Sequence, residues 1–244
     1  MDTSYQNGDT AKKYIEFTAS ENGRLQQKVL WEAIEPHLAG DTVLDAACGG
    51  GWLAGKAAVL GLQVKACDFS NGLVEYAQQQ FPSIPFSVAD VSALPYKNSE
   101  FDIVIFNMAA HDVADVQKSF SEISRVTKPM GTVIVTVANP YYSFPVGVWK
   151  RGILGFLLRK KPKLLLRAYN SFKKIPNRAF VWNENFTSYF YTLPEYIEAA
   201  GKAHLSLTHL RDITADKDAE HFSLQYQLYQ FPLMLLLVFK KRTE

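Results

Sequence analysis

Hydrophobic and polar positions follow two alternating patterns along the first half of the chain. Short apolar runs are typical of buried strands, and the stretches between them repeat apolar residues every three or four positions, as helices do. Strands alternating with helices of such lengths predict an α/β fold with a doubly wound, mostly parallel sheet. The predicted strands are 43–45, 63–68, 85–88, 103–106 and 132–138, and the predicted helices are 53–60, 72–80 and 113–127.

The regions on either side of this core follow other patterns. Residues 10–40 carry apolar residues at helical spacing, and residues 139–192 are rich in aromatic and basic side chains. A helix capped by Thr192 and ended by Gly201 then returns the chain to the sheet. We therefore expect one domain over 1–244, divided into an N-terminal helical segment (10–40), a core (41–138), an insertion that acts as a lid (139–192), and a C-terminal helix with closing strands at 205–210, 222–229 and 231–240 (193–244).

The first predicted strand ends in an acid, Asp45, and runs into three successive glycines, Gly49, Gly50 and Gly51. Glycine allows a tight turn and close approach of a ligand, and the helix that follows offers unpaired N–H groups. The spacing Gly49-x-Gly51-x-x-Ala54 also fits a dinucleotide-binding turn. By itself, this turn indicates only a nucleotide-like ligand.

Acids stand at the ends of three successive strands: Asp45, Asp68 and Asp90. A carboxylate beside the turn would repel a pyrophosphate, so it favours a ligand with a cationic group. Asp68 follows Gly49 by about 20 residues, the offset of an acid that binds ribose hydroxyls. Asp90 could accept from the exocyclic amine of adenine, and the Val91 N–H could donate to a ring nitrogen. Asp68 also fits a simple helix-entry acid, and Asp90 also fits an N-cap or turn acid.

The stretch from Val43 to Gly51 resembles the first motif of the Rossmann-like (class I) S-adenosylmethionine-dependent methyltransferases. Leu94-Pro95, the Lys128–Gly131 turn and the phrase 189–196 resemble later parts of the small-molecule type. The resemblance covers residues 40–140 and 189–240. It implies a seven-stranded sheet with an antiparallel last strand, and methyl transfer from S-adenosylmethionine, whose amino and sulfonium groups are cationic, to a small apolar or aromatic molecule.

The resemblance also implies which residues hold the cofactor. Asp45 and the glycines would border its methionine part, Asp68 its ribose, and Asp90 its adenine. Phe69 could pack on the adenine ring. The N-terminal aromatic residue Tyr14 would close over the cofactor. A tyrosine at this position fits equally well as a residue that packs its helix onto the sheet. The implied cofactor residues are Tyr14, Asp45, Ala47, Gly49, Gly51, Asp68, Phe69, Asp90, Val91 and Asn107.

His111 is the histidine that follows a predicted strand end, in the loop that forms the active site of the resembling family. Imidazole has a pKa near working pH, so His111 could take a proton from a nucleophile. The alternative is a loop histidine that shapes the pocket without proton transfer.

Composition adds few constraints. Apolar residues make up 48% of the chain and charged residues 20%, with a net charge of +2, which is ordinary for a globular protein. Cys48 and Cys67 have no metal-ligand spacing and fit reduced packing residues. The polar N-terminus does not resemble a signal peptide, and no apolar run approaches the roughly 20 residues of a membrane-spanning helix. We expect no metal and a cytoplasmic location.

The insertion leaves several interpretations open. The plainest is a solvated basic face over the core of a lid, and three others are functional. Its aromatic residues suit a pocket for an apolar or planar molecule. Its basic, apolar stretch from Trp149 to Tyr169 also fits an interfacial helix on an anionic membrane, which would make peripheral membrane contact. Interleaved basic and aromatic residues fit a nucleic-acid face as well, which we regard as the weakest of the three.

Two other functions fit parts of the pattern. The glycine spacing and Asp68 suit an NAD(P)-dependent oxidoreductase, although Asp45 and Asp90 argue against it. A protein that binds S-adenosylmethionine without catalysis, as a regulator or assembly factor, would carry the same motifs. The acceptor, the atom that is methylated and the oligomeric state do not follow from the sequence.

Overall fold

The computed structural model describes residues 8–142, 147–150, 163–166, 174–178, 185–189, 191–214 and 232–243. A short 3₁₀ turn at Glu35–His37 follows the second helix. The helices are α1 (Gly8–Ala19), α2 (Glu21–Ile34), α3 (Trp52–Val59), α4 (Asn71–Gln80), α5 (Val116–Val126) and α6 (Leu193–Lys202). The strands are β1 (Thr42–Ala46), β2 (Gln63–Asp68), β3 (Phe86–Val88), β4 (Phe101–Asn107), β5 (Thr127–Ala138), β6 (Gly147–Lys150), β7 (Lys163–Leu166), β8 (Lys174–Arg178), β9 (Asn185–Tyr189), β10 (Leu205–Ile213) and β11 (Met234–Lys241).

A seven-stranded sheet in the order β10-β11-β5-β4-β1-β2-β3 forms the centre of the fold. The five neighbouring strands β5, β4, β1, β2 and β3 are parallel to one another. Strand β11 lies antiparallel to both β5 and β10. The predicted doubly wound α/β sheet with an antiparallel last strand is therefore confirmed. Because the chain order reverses between β1 and β4, a crevice opens at the carboxyl ends of these strands.

Each face of the sheet has its own apolar core. Val104 and Phe106 of β4 pack with residues of α5 and α6, whereas Ile103 and Ile105 pack with residues of α2 and α3. All four side chains are essentially buried. This burial on both faces explains why β4 has an unbroken apolar run instead of an alternating one.

Several predicted boundaries are wrong, for local reasons. Helix α5 begins at Val116 and not at residue 113, because the Asp115 carboxylate caps it by accepting from the Lys118 N–H at 2.9 Å. Helix α6 continues past Gly201 to Lys202. Strand β5 already begins at Thr127, and the predicted turn at 128–131 is an irregular start of this strand, where the register with β4 shifts.

Between residues 147 and 189, the described parts of the insertion are strands. β6 pairs with β7 and β8 pairs with β9, each pair antiparallel. The interpretation of 149–169 as one interfacial helix is therefore wrong at residues 149–150 and 163–166. The predicted extended run at 222–229 lies outside the described residues. Among the described helices, none combines the length and the apolar character needed to cross a bilayer.

The edge of the sheet opposite the crevice is held by the carboxylate of Asp102 at the start of β4. Its Oδ1 accepts from the Lys128 Nζ at 2.8 Å, and its Oδ2 accepts from the Thr42 hydroxyl at 2.7 Å and the Thr42 N–H at 3.0 Å. The hydrogen bond from Lys128, together with those from Thr42, holds the pKa of Asp102 well below its usual range. Asp102 thus ties together the starts of β1, β4 and β5.

We expect Asp102→Ala to lower the free energy of unfolding by about 1–3 kcal/mol near neutral pH, because three strand starts lose a charged acceptor. The depressed pKa means that this contribution is present above about pH 4 and is lost as the pH falls below it. Urea denaturation near pH 7 and pH 3 measures both effects.

Glu198→Ala provides the control for this prediction. Glu198 forms an exposed ion pair with Lys202 at 2.7 Å, so its removal should change stability by less than about 0.5 kcal/mol. An equal loss in both variants, or a loss for Asp102→Ala that persists unchanged at about pH 3, would contradict the proposed tie.

Candidate active site

The turn after β1 is fixed by the carboxylate of Asp68 at the end of β2. Its Oδ2 accepts from the Gly49 N–H at 2.8 Å, and its Oδ1 accepts from the Ser70 N–H at 2.9 Å. The Cys48 N–H also donates to the Cys67 carbonyl at 2.9 Å. Asp68 therefore joins the glycine turn to the start of α4, whose first turn is capped by the Ser70 hydroxyl.

The two glycines of the turn are required for different reasons. Gly49 has φ of 56° and Gly51 has φ of 78°, both in the left-handed region. A Cβ on Gly49 would lie 2.5 Å from the Tyr14 hydroxyl, whereas a Cβ on Gly51 would lie 2.9 Å from the Phe86 ring. Gly49 thus accommodates the aromatic above the turn, and Gly51 allows close packing on β3. Ala47 is also left-handed, with φ of 61°, which is strained for a residue with a Cβ.

Asp45 is the most buried acid of the crevice, with 1% of its surface exposed. Its Oδ2 accepts from the Ala54 N–H at 3.1 Å, in the first turn of α3. Its Oδ1 is buried and has no hydrogen-bond partner among the described residues. Burial raises the pKa of Asp45 to about 7. A buried acceptor without a donor fits a ligand that brings an N–H, as the amino group of S-adenosylmethionine does.

Tyr14 places its ring on the glycine turn from α1. Burial, followed by the nearby charges of Asp68, Cys48 and Asp45, raises the pKa of Tyr14 well above its usual range. The hydroxyl therefore stays protonated beside two carboxylates. This position fits an aromatic that covers the crevice at the turn, and Tyr14 also packs α1 onto that turn.

Burial and hydrogen bonding act in opposite directions on Asp68. Burial raises the pKa of this carboxyl, and the backbone N–H groups of Ser70 and Gly49 offset only part of that rise. The side chain is only partly buried, and each carboxylate oxygen has a second lone pair. Asp68 can therefore support the turn and still accept from ribose hydroxyls.

The residues predicted at the adenine end lie at and after β3. The Asp90 Oδ1 accepts from the Ser92 N–H at 2.8 Å, which shapes the loop. Val91 is 1% exposed and belongs to the core on one face of the sheet, and Phe69 is partly buried after β2. Because the Val91 side chain is buried in this core, the predicted contact of Val91 with adenine would come from its backbone N–H.

The end of β4 carries a polar group on the crevice floor. The Asn107 Oδ1 accepts from the Thr136 hydroxyl at 2.7 Å, and the next residue, Met108, has φ of 51°. The Met108 N–H donates to the Thr136 carbonyl at 2.9 Å. Thr136 thus fixes both the amide orientation of Asn107 and the direction in which the chain leaves the strand.

His111 and Asp112 follow in the loop between β4 and α5. The His111 Nε2 lies 3.8 Å from the Asp112 Oδ2, and the His111 Nδ1 is buried without a hydrogen-bond partner among the described residues. After burial, the charge of Asp112 adds to the rise in the pKa of Asp68, which places Asp112 near that carboxyl. Sequence reasoning missed Asp112, although its position directly after the candidate base at a strand end was a usable signal.

The structure therefore brings together Tyr14, Asp45, Gly49 and Asp68 at the turn, with Asp112 near Asp68. These groups fit S-adenosylmethionine. The acids can accept from its cationic and hydroxyl groups, and the turn supplies backbone N–H groups.

A family model described as a methyltransferase domain matches residues 44–135. The demethylmenaquinone methyltransferase of Streptomyces avermitilis is 31% identical over 180 residues, covering 73% of this chain and 74% of that protein. That of Paenarthrobacter aurescens is 32% identical over 126 residues, covering 51% of this chain and 48% of that protein. The match thus spans about half the length of the latter relative.

Solved structures agree on the fold. The S-adenosylmethionine-dependent methyltransferase of Mesorhizobium loti superposes with a TM-score of 0.72 at 21% identity, over 88% of this chain and 99% of that chain. A structure from Listeria monocytogenes, also described as an S-adenosylmethionine-dependent methyltransferase, superposes with a TM-score of 0.75 at 20% identity. The superposition covers 90% of this chain and 100% of that chain. Together with the sequence relatives, these findings do not support the oxidoreductase alternative. The chain belongs to the class I family of S-adenosylmethionine-dependent methyltransferases.

Proposed function

We propose that the chain transfers a methyl group from S-adenosylmethionine to a small, planar, apolar acceptor, with a demethylmenaquinone-like naphthoquinol as the first candidate. The observation that carries the cofactor assignment is Asp45, whose buried Oδ1 has no donor among the residues that the structure describes. The sequence relatives named for demethylmenaquinone support the acceptor class.

The residues at the turn would bind and orient the cofactor. Asp45 would accept from its amino group, Asp68 from its ribose hydroxyls, and Asp90 with the Val91 N–H would hold adenine. Tyr14 would exclude water from above the turn. When bound, S-adenosylmethionine supplies an electrophilic methyl group on a positively charged sulfur, so the protein mainly aligns the reacting atoms.

His111 would remove the proton of the acceptor hydroxyl. With its own proton on Nε2, which faces Asp112, the imidazole of His111 presents Nδ1 as the atom that takes up the proton. The Asp112 carboxylate at 3.8 Å is too distant for a direct hydrogen bond, but it would stabilise the imidazolium that forms. Removing the proton raises the electron density of the ring that is methylated.

We further propose that the insertion makes peripheral contact with a membrane, where an apolar quinol would reside, and that the protein works in the cytoplasm. The sequence of the insertion places lysines beside apolar residues, as at Trp149-Lys150 and Lys163-Leu164 of β6 and β7. Basic residues beside apolar ones suit an anionic bilayer surface. Co-sedimentation with anionic vesicles, compared with neutral vesicles, measures this contact.

The decisive test offers the protein S-adenosylmethionine and a panel of acceptors, and measures S-adenosylhomocysteine and the mass of the methylated product. The panel contains a short-chain demethylmenaquinol and a malonyl acyl carrier protein, the latter named for a Yersinia pestis relative. A protein that binds NADH and does not bind S-adenosylmethionine would overturn the proposal. Cofactor binding without transfer to any acceptor would favour the non-catalytic alternative.

We expect Asp68→Ala to weaken S-adenosylhomocysteine binding by about 10- to 100-fold, the range for losing a charged acceptor. Isothermal titration calorimetry measures the affinity. Glu75→Ala is the matched control, because Glu75 is an acid on α4 that accepts from the Asn71 amide at 2.6 Å on the surface. Unchanged affinity in a folded Asp68→Ala protein would remove Asp68 from the site.

Asp45→Asn should stabilise the ligand-free protein and weaken cofactor binding. The raised pKa of Asp45 means that wild-type stability falls as the pH rises from about 4 to about 7, by at most about 1.4 kcal/mol per pH unit. The asparagine keeps an oxygen for the Ala54 N–H and has no charge to bury.

The advantage of Asp45→Asn should therefore grow between about pH 5 and pH 7 and level off above that. Thermal unfolding of both proteins without ligand measures it, and titration with S-adenosylhomocysteine measures the affinity. A variant with the same melting temperature as wild type at every pH would show that Asp45 is not strained by burial.

His111→Gln should lower kcat about 100-fold or more for an acceptor that must lose a proton, with S-adenosylhomocysteine affinity nearly unchanged. The control is His209→Ala, because His209 is exposed on β10 away from the crevice. Full activity of His111→Gln at all pH values would assign proton removal to another group.

A further inference from the structure

The loop between β4 and α5 carries both His111 and Asp112, and its two ends are fixed by the fold. At the β4 end, the Met108 N–H is bound to Thr136. At the α5 end, Asp115 caps the helix. Within the loop, the Asp112 N–H donates to the Ala109 carbonyl at 2.9 Å. The middle of the loop depends on contacts from elsewhere in the chain.

Those contacts come from the segment that joins the insertion to α6. The Tyr189 N–H donates to the His111 carbonyl at 2.7 Å. The Tyr191 hydroxyl lies 3.0 Å from the Val113 carbonyl and 2.9 Å from the Ala114 carbonyl, so its single proton is shared between them. Residues almost 80 positions later in sequence thus hold three backbone carbonyls of the loop.

Tyr191 is itself held in place by rigid neighbours. Its ring lies 5.6 Å from the ring of Tyr196 in α6, and it stacks on Tyr189 at 6.4 Å. Tyr196 is 2% exposed, and a capping box formed by Thr192 and Glu195 fixes the start of α6. Burial raises the pKa of Tyr191 to about 12, so its hydroxyl remains a donor throughout the working pH range.

We propose that Tyr191 is a positioning residue for methyl transfer: its hydroxyl sets the backbone at Val113 and Ala114 and thereby holds His111 and Asp112 at the crevice. This inference rests on the proposed function, because it assigns Tyr191 to the same site. Tyr191 acts through the loop.

The same segment would couple the acceptor side to the catalytic loop. Strand β9 ends at Tyr189, two residues before Tyr191, and Tyr189 is bonded directly to His111. A shift of β9 when an acceptor enters would therefore move the His111 backbone.

Tyr191→Phe tests the proposal, because it removes the hydroxyl and keeps the ring against Tyr196. The matched control is Thr127→Val. The buried Thr127 hydroxyl donates to the Ile123 carbonyl at 2.7 Å, a bond of the same kind at the opposite edge of the sheet. Both variants and wild type are compared by hydrogen exchange, melting temperature, S-adenosylhomocysteine binding and kinetics.

In Tyr191→Phe we expect amides of residues 109–115 to exchange up to about tenfold faster, the factor for losing one net hydrogen bond. Exchange in β1 and β4 should not change. With whichever panel acceptor wild type methylates, kcat should fall about tenfold or more and its pH dependence should change, while KM for S-adenosylmethionine stays within about twofold. Thr127→Val should lower the melting temperature without these effects.

Unchanged exchange at 109–115, or the same acceleration in Thr127→Val, would overturn the positioning role whatever the activity. A normal kcat with faster exchange would overturn it as well. Failure of the proposed function has a different signature: wild type would not bind S-adenosylhomocysteine or would methylate no acceptor, and the exchange measurement would still decide whether Tyr191 orders the loop.

Discussion

The hydrogen bonds from Gly49 and Ser70 to one carboxylate, Asp68, are the contact on which the crevice depends. They join the turn after β1, the end of β2 and the start of α4 through a single side chain. The Tyr14 ring then packs on a glycine whose position that carboxylate sets. The backbone donors offset only part of the unfavourable burial of this carboxyl group, so its pKa is raised while the group that shapes the turn can still accept from a ligand beside it.

The two edges of the sheet use the same residue type in opposite ways. At the edge away from the crevice, Asp102 has a cation and several donors, and its pKa is depressed. At the crevice, Asp45 accepts from one donor, its buried Oδ1 has no partner within the described part of the chain, and its pKa is raised. Left-handed Ala47 adds backbone strain on the same side. Unfavourable features gathered at one edge are typical of a site kept for binding and not for stability.

The sequence predicts the part of the protein whose contacts are local. Apolar runs place β1, β2 and β4, and acids at strand ends mark the crevice edge, since parallel strands bring their carboxyl ends together. The bond from Gly49 to Asp68 is not visible in any pattern, and neither is the electrostatic contact between Asp68 and Asp112. The strand pairs of the insertion were missed because they are short, and their aromatic and basic residues do not alternate with a clear period.

The two halves of the site therefore differ in how they are built. The half that would hold the cofactor forms between strands that are neighbours in the sheet, so its geometry follows from the fold. The half that would hold the acceptor depends on contacts such as the one from Tyr191 to Ala114, which join the end of the insertion to a loop. Because those contacts go to backbone carbonyls of the loop, side chains of the loop can change without loss of its position, as long as the Tyr191 hydroxyl is kept. Acceptor choice can then vary while the cofactor half stays constant.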